Sequence, residues 1–250
     1  MAGHSKWANI KHRKGRADAA RGKRFTRLIR EITVSAREGG GDEANNPRLR
    51  AAILNAKSEN MPAANIERAV KKGTGDLPGE SYEGAVYEGY GPGGVALFIE
   101  VLTDNRNRTV SQVRHLLNKH NASMAESGSV AWVFDQKGLV VVSRENADEE
   151  TLMLAALEAG AEDIVEDDAV YEVYTSPQGF GPVQKALAAR QIPVERAELT
   201  RVPQNTVTVE GNTAVRLIRL LETLESQDDV QRVYANFEMD EEELSALISP

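Results

Sequence analysis

Between Lys23 and Arg37 the apolar residues Phe25, Leu28, Ile29, Ile32 and Ala36 recur at i, i+3, i+4, i+7 and i+11, which gathers them on one face of a helix. Lys23, Arg24, Arg27, Arg30 and Arg37 fall on the opposite arc, and Gly39-Gly40-Gly41 ends the run. Pro47, behind Asn45-Asn46, opens a second helix with Leu49, Ala52, Ile53 and Ala56 inward. Pro62 opens a third, which turns Ile66, Ala69 and Val70 inward, carries Lys71 and Lys72 in its last turn and closes at Gly73. Residues 23–79 are thus expected to be a three-helix domain followed by the linker Gly73–Gly79.

Beyond the linker the period shifts to mixed strand and helix. Strands are expected at Ala85–Tyr90 and Val95–Thr103 around Gly91-Pro92-Gly93-Gly94, then a helix at Thr109–Lys119 and a strand at Val130–Phe134. From Leu139 to Arg201 the order reads β-α-β-β-α-β, the ferredoxin-like motif, and Thr206–Val209 (β), Thr213–Leu224 (α) and Val230–Ala235 (β) follow. Removing 136–203 and starting from Val95–Thr103 leaves strand, helix, Val130–Phe134, Thr206–Val209, helix and Val230–Ala235, a second β-α-β-β-α-β order that makes no use of Ala85–Tyr90. The reading is therefore α+β and multidomain, with an N-terminal three-helix domain and two ferredoxin-like domains, one inserted in the other. Its parts are a flexible basic arm (1–22), the helical domain and linker (23–79), an α/β domain (80–135 plus 204–240), the inserted domain (136–203) and an acidic tail (241–250).

Charge adds the strongest functional signal. The net charge of −8 conceals 17 basic and 7 acidic residues before Gly73, against 13 and 31 from there on. A basic head on an acidic body points to a polyanion, because each phosphate neutralised by Lys or Arg releases condensed counterions. Lys6, Lys11, Arg13, Lys14, Arg16, Arg21, Lys23 and Arg24 form the arm, with Trp7 as a candidate stacking surface, and Arg27 and Arg30 extend the basic stripe along the first helix. The Gly-punctuated, aperiodic composition of 1–22 predicts disorder without nucleic acid. The absence of cysteine excludes disulfides, thiolate nucleophiles and Cys-ligated metals. No apolar run reaches the ~18–20 residues of a membrane helix, and the N-terminus lacks the apolar core of a secretory signal. A cytoplasmic protein is expected.

Asp104-Asn105-Arg106-Asn107-Arg108-Thr109 follows a strand and opens a helix. It reads equally as an anion site, gripped by Arg106 and Arg108, and as an ordinary helix cap. Tyr87–Gly94 is Gly-rich but lacks the spacing of a phosphate loop, so it reads as a turn. The acidic clusters, among them Asp148-Glu149-Glu150, Glu166-Asp167-Asp168 and Asp228-Asp229, read as solvated caps and turns in preference to Mg²⁺ sites. The four histidines fit no catalytic or metal motif. With Met1 removed, Ala2-Gly3-His4 could wrap Cu(II) or Ni(II), as any peptide of that form can. No catalytic residue, metal or cofactor is expected.

Several blocks, in order along nearly the whole chain, resemble the YebC/PmpR family: Gly3-His4-Ser5-Lys6-Trp7, Gly39-Gly40-Gly41-Asp42, Asn46-Pro47-Arg48-Leu49, Tyr87-Glu88-Gly89-Tyr90, Asp104–Arg108 and Leu157–Asp163. The resemblance implies a three-domain, clamp-like α+β build and a non-catalytic regulator of gene expression. Members are described as DNA-binding transcriptional regulators, and others look like ribosome-associated factors that help translation through proline-rich stretches. The mitochondrial relative is a translational activator of cytochrome c oxidase. The expected partner is nucleic acid, either rRNA or tRNA on the ribosome or DNA, without membrane or small-molecule substrate. Absence of a clear base-reading helix with a dimer motif leans the reading to the ribosome. A transcriptional regulator and, remotely, a metal-dependent enzyme stay open.

Overall fold

A computed structural model describes residues 3, 6–9, 18–79, 81–167 and 169–248, with backbone alone at 18–21, 241 and 248. In chain order the helices are α1 (Asp18–Gly39), α2 (Pro47–Ser58), α3 (Ala63–Thr74), α4 (Arg106–Lys119), α5 (Glu149–Glu158), α6 (Phe180–Ala189), α7 (Gly211–Glu225) and α8 (Glu241–Ile248). The strands are β1 (Glu83–Tyr90), β2 (Ala96–Thr103), β3 (Ser123–Ala125), β4 (Phe134–Ser143), β5 (Ala161–Glu166), β6 (Val170–Thr175), β7 (Arg196–Pro203), β8 (Val207–Thr208), β9 (Val230–Ala235) and β10 (Phe237–Glu238). They build two units: Val133–Gln204, and the remainder of the chain.

In the larger unit α1 begins at Asp18, a turn earlier than the apolar period suggests, and runs through the exposed Gly22. Asp18 and two alanines favour a helix start there, and one glycine costs only ~1 kcal/mol. Residues 32–36 are all buried, so this end of α1 is packed on every side. Ile32 and Ala36 meet Leu49, Ile53, Ile66 and Ala69 of α2 and α3 in one apolar cluster. Asn46 caps α2 by accepting from the Leu49 N–H at 3.0 Å, and its amide donates to the Ser35 and Gly40 carbonyls, both at 2.8 Å. Gly73 does not end α3. It lies inside the helix, where a Cβ would sit 2.7 Å from that of Ala36 and against the Thr33 carbonyl. The glycine lets α3 cross α1 closely, and Gly75, at φ 88°, supplies the left-handed terminus.

The rest of this unit is a four-stranded antiparallel sheet, ordered β3-β1-β2-β9, with α4 and α7 contributing to its core. β1 and β2 form a hairpin across Gly91–Gly94, where Gly93 and Gly94 have φ 79° and 78°. This departs from the strand assignment read from the sequence. The hairpin partner β1 takes the central place beside β2, in register over eight residue pairs. Residues 131–133 form a 3₁₀ turn instead of a strand, and Val207–Thr208 pairs in parallel with Phe237–Glu238 outside the main sheet. A local hairpin closes a five-residue connection, whereas a later strand would have to close a loop of over a hundred residues, a larger entropic cost. Trp7 lies in this core with Leu97, Ile99, Leu117, Leu217 and Phe237.

The second unit runs β4-α5-β5-β6-α6-β7, with strand order β5-β6-β4-β7 and every pairing antiparallel. That is the ferredoxin-like arrangement. Val140, Val142 and Val173 on the sheet meet Leu152, Ala155, Val183 and Leu187 on the helices.

Candidate nucleic-acid interface

The basic face of α1 is not left free, since protein groups engage Lys23, Arg24, Arg27 and Arg30 along it. Helix α7 has no basic residue in its last turn, and α1 supplies the missing cations. Lys23 Nζ donates to the Ser226 carbonyl at 3.1 Å, the Arg27 guanidinium to the Glu225 carbonyl, and Arg30 to the Asp228 carbonyl. Three positive charges thus meet the negative end of the α7 dipole. Burial lowers the Arg27 pKa, with Glu225 and Asp228 opposing it. Arg30 also lies over the Tyr82 ring, 5.0 Å from its centroid, while Arg24 pairs with Glu59 at 3.6 Å.

Asp229 is the centre of this docking. Only 5% exposed, it receives Arg30 at 2.9 Å on one oxygen and Arg108 at 2.9 Å on the other. The hydroxyls of Thr109 and Thr103 stand 2.6 and 3.1 Å from the second oxygen. Burial alone would raise this carboxyl, but the bonds from Thr109 and Arg108, the charge of Arg30 and the Thr103 hydroxyl outweigh it and hold Asp229 below the usual carboxylate range. Arg108 also pairs with Asp104 at 2.6 Å, and these two carboxylates, Asp104 first, raise its pKa. Asn105 caps α4 by accepting from the Arg108 N–H at 3.0 Å. The anion position read at the start of α4 is thus filled from within, by a carboxylate where a phosphate was sought. Arg106 is more open, 3.8 Å from Glu83.

Trp7 is 1% exposed inside the core, so it cannot stack on a base while docked. Gly3, four residues earlier, lies against the Phe237 ring, and residues 6–9 are helical with Lys6 half-buried. Lys11, Arg13, Lys14 and Arg16, the side chain of Arg21, and His4 lie outside the described residues. The outward stripes of α2 and α3 carry Arg50, Lys57, Arg68, Lys71 and Lys72, all exposed. Arg50 holds the carbonyls of Glu43 and Ala44, and Lys71 pairs with Glu67. Among the described residues no three His, Asp or Glu side chains gather as a metal site.

Comparison with known proteins gives these observations a family. The TACO1/YebC N-terminal domain matches residues 5–76, and the TACO1/YebC second and third domains match residues 82–237. The chain belongs to the TACO1/YebC family. Relatives named "Probable transcriptional regulatory protein" include one from Geobacter sulfurreducens, 54% identical over 99% of this chain and 100% of its own. Another, from Natranaerobius thermophilus, is 54% identical over 96% of this chain and 98% of its own. The crystal structure of a conserved hypothetical protein, Aq1575, from Aquifex aeolicus superposes with a TM-score of 0.85. It is 48% identical, covering 93% of this chain and 96% of that one.

Two features of this TACO1/YebC chain escape the sequence reading. Glu88, 5% exposed on β1, accepts the backbone N–H groups of Gly128, Val130 and Ala131 at 2.7, 2.7 and 2.9 Å. Burial would raise its carboxyl, and the three N–H bonds together hold it below the usual range. The loop so fixed presents Trp132, 64% exposed. Strand periodicity would have turned Trp132 to the same side as Val130 and Phe134, and the 3₁₀ turn turns it out. No helix among the described residues is long and apolar enough to cross a membrane.

Proposed function

We propose that this chain is a cytoplasmic, non-catalytic regulator of gene expression that binds nucleic acid through the basic residues of its first 72 positions. The observation that carries the reading is the segregation of charge, 17 basic against 7 acidic residues there and 13 against 31 in the rest. Docking uses Lys23, Arg27 and Arg30. The arm residues Lys6, Lys11, Arg13, Lys14 and Arg16 then bear on phosphate, with Lys57, Arg68 and Lys72 of α2 and α3 as the neighbouring exposed cations. Replacing the five arm residues with Ala should weaken binding to all sequences alike. The log–log salt slope should fall by roughly 4 to 5 units if all five touch duplex phosphates. Unchanged affinity at physiological salt would remove the arm from the interface.

DNA is the target that the relatives' names support. A second reading, a ribosome-associated factor that helps translation through proline-rich stretches, gains support from the docking of α1. The chain's longest basic helix is packed with that stripe against the end of α7, and in this arrangement it cannot lie in a major groove. Footprinting on DNA beside co-sedimentation with ribosomes separates the two.

A further inference from the structure

We infer that Trp132, flanked by Tyr90, is a stacking platform for an unpaired nucleobase. The inference rests on the proposed nucleic-acid reading and adds to it a site away from the basic residues. Of the two tryptophans in the chain, Trp7 is buried in the core and Trp132 is 64% exposed. An exposed tryptophan gives up the apolar burial that usually stabilises so large a side chain. Here the ring is also held still. Its Nε1–H donates to the Ser129 carbonyl at 2.9 Å, and the Tyr90 hydroxyl, on a ring 42% exposed, reaches the same oxygen at 3.4 Å. Glu88 clamps the loop beneath through three backbone N–H groups.

The polar edge of the indole is therefore occupied, and a flat apolar face is left for a partner. A ring fixed beforehand loses little entropy on binding, which suits a flat ligand. The loop around it, Glu126-Ser127-Gly128-Ser129, is polar. An aromatic anchor of a protein interface sits among other apolar groups that exclude water, whereas this loop is polar and Tyr90 itself carries a hydroxyl. A base needs only the face, and every base has one, so the platform reads no sequence. Duplex bases are stacked on one another and cannot reach it. Single strands, loops and displaced bases can.

The two tryptophans make the test direct, since quenching by added ligand reports mainly on Trp132. The full-length chain is titrated with a labelled RNA single strand of about twelve nucleotides, the DNA strand of the same sequence, and the DNA duplex, reading label anisotropy and tryptophan emission together. Both single strands should quench the emission and the duplex should not. Trp132→Ala should weaken single-strand binding by roughly 5- to 150-fold, Trp132→Phe should restore most of it, and duplex affinity should stay unchanged. RNA and DNA arms that differ would say which strand the platform serves. Anisotropy that reports single-strand binding without quenching, or with Trp132→Ala as tight as the parent, overturns the platform and leaves the nucleic-acid reading standing. Loss of a protein complex in Trp132→Ala at unchanged oligonucleotide affinity overturns it in favour of a protein contact. No binding to any of the three probes takes down both.

Discussion

The helical domain carries two basic surfaces of nearly identical composition and opposite use. On α1, Lys23, Arg27 and Arg30 are tied to the carbonyls that end α7 and to Asp229. On α2 and α3, Lys57, Arg68 and Lys72 point to solvent. Amphipathic periodicity treats the two alike, because it separates only apolar from polar faces. What distinguishes them is a second body with complementary charge: a helix C-terminus without cations of its own and a buried carboxylate. A count of charges thus finds the domain that meets a polyanion but not the face, since part of the charge holds the molecule together.

The largest test of this contrast is Asp229→Ala. It leaves Arg30, Arg108 and two hydroxyls around an empty buried site, and stability should fall by about 3 kcal/mol, read by denaturant unfolding. Acid should act through the same group. Asp229 and Glu88 are held below their ordinary values, so near pH 4 the unfolded chain binds protons that the folded chain does not. Stability should be level at neutral pH and decline as pH falls from about 4 through the lowered folded values. Asp229→Ala should make that acid decline shallower. A variant as stable as the parent would show that the α1 cations are not the tie between the helical domain and the sheet.

Next in size is Gly73→Ala, which presses a methyl group into the α1–α3 crossing at Thr33 and Ala36. About 2 kcal/mol of stability should be lost, and Gly22→Ala, with nothing within 4 Å of the added carbon, should be stabilising or neutral. Smaller again is the joint replacement of Lys57, Arg68 and Lys72 by Ala. Its melting temperature should match the parent. Its salt slope on duplex DNA should fall by roughly 2 to 3 units if each side chain touches a phosphate. Affinity should drop roughly tenfold, about 1.4 kcal/mol. A change in stability with none in binding would reverse the assignment of the two surfaces.

These contrasts also mark what the chain discloses before folding. The helices of the first domain are legible because their signals are local: the period of Leu49, Ala52, Ile53 and Ala56, and Asn46 before Pro47. The ferredoxin-like insert is legible because its six elements follow one another without interruption. The outer sheet is less so, because which strand sits beside β2 is decided by competition between a short hairpin and a distant segment. Asn105 takes the cap role, one of the two readings its motif leaves open, yet Arg108 in the same motif finds a partner 121 residues away at Asp229, a residue whose local setting looks like a solvated turn. Trp7 and Trp132 exchange the roles that sequence suggests. Trp7 stands in a polar segment and is buried by a core built elsewhere, while Trp132 stands within the apolar run Val130–Phe134 and is turned out by three residues of 3₁₀ helix.

The smallest expected effect draws the contrast most sharply. Lys23 and Lys57 are both exposed lysines of the same domain. Lys23 caps the carbonyl of Ser226 at the end of α7, so Lys23→Ala should cost about 0.5 kcal/mol of stability, fading as salt screens the helix dipole. Its effect on nucleic-acid affinity should be close to nil, because its charge is already engaged. Lys57→Ala should do the reverse, leaving unfolding unchanged and lowering the salt slope by roughly 0.9 if it meets one duplex phosphate. The two single variants, measured for unfolding at low and high salt and for binding across a salt series, form a crossed pair in which each serves as control for the other. If both lose binding equally, the α1 face releases its carbonyl partners when nucleic acid arrives, and docking of α1 belongs to the free protein alone. If neither does, the contacts lie in the arm ahead of α1, and the charge on α2 and α3 serves solubility.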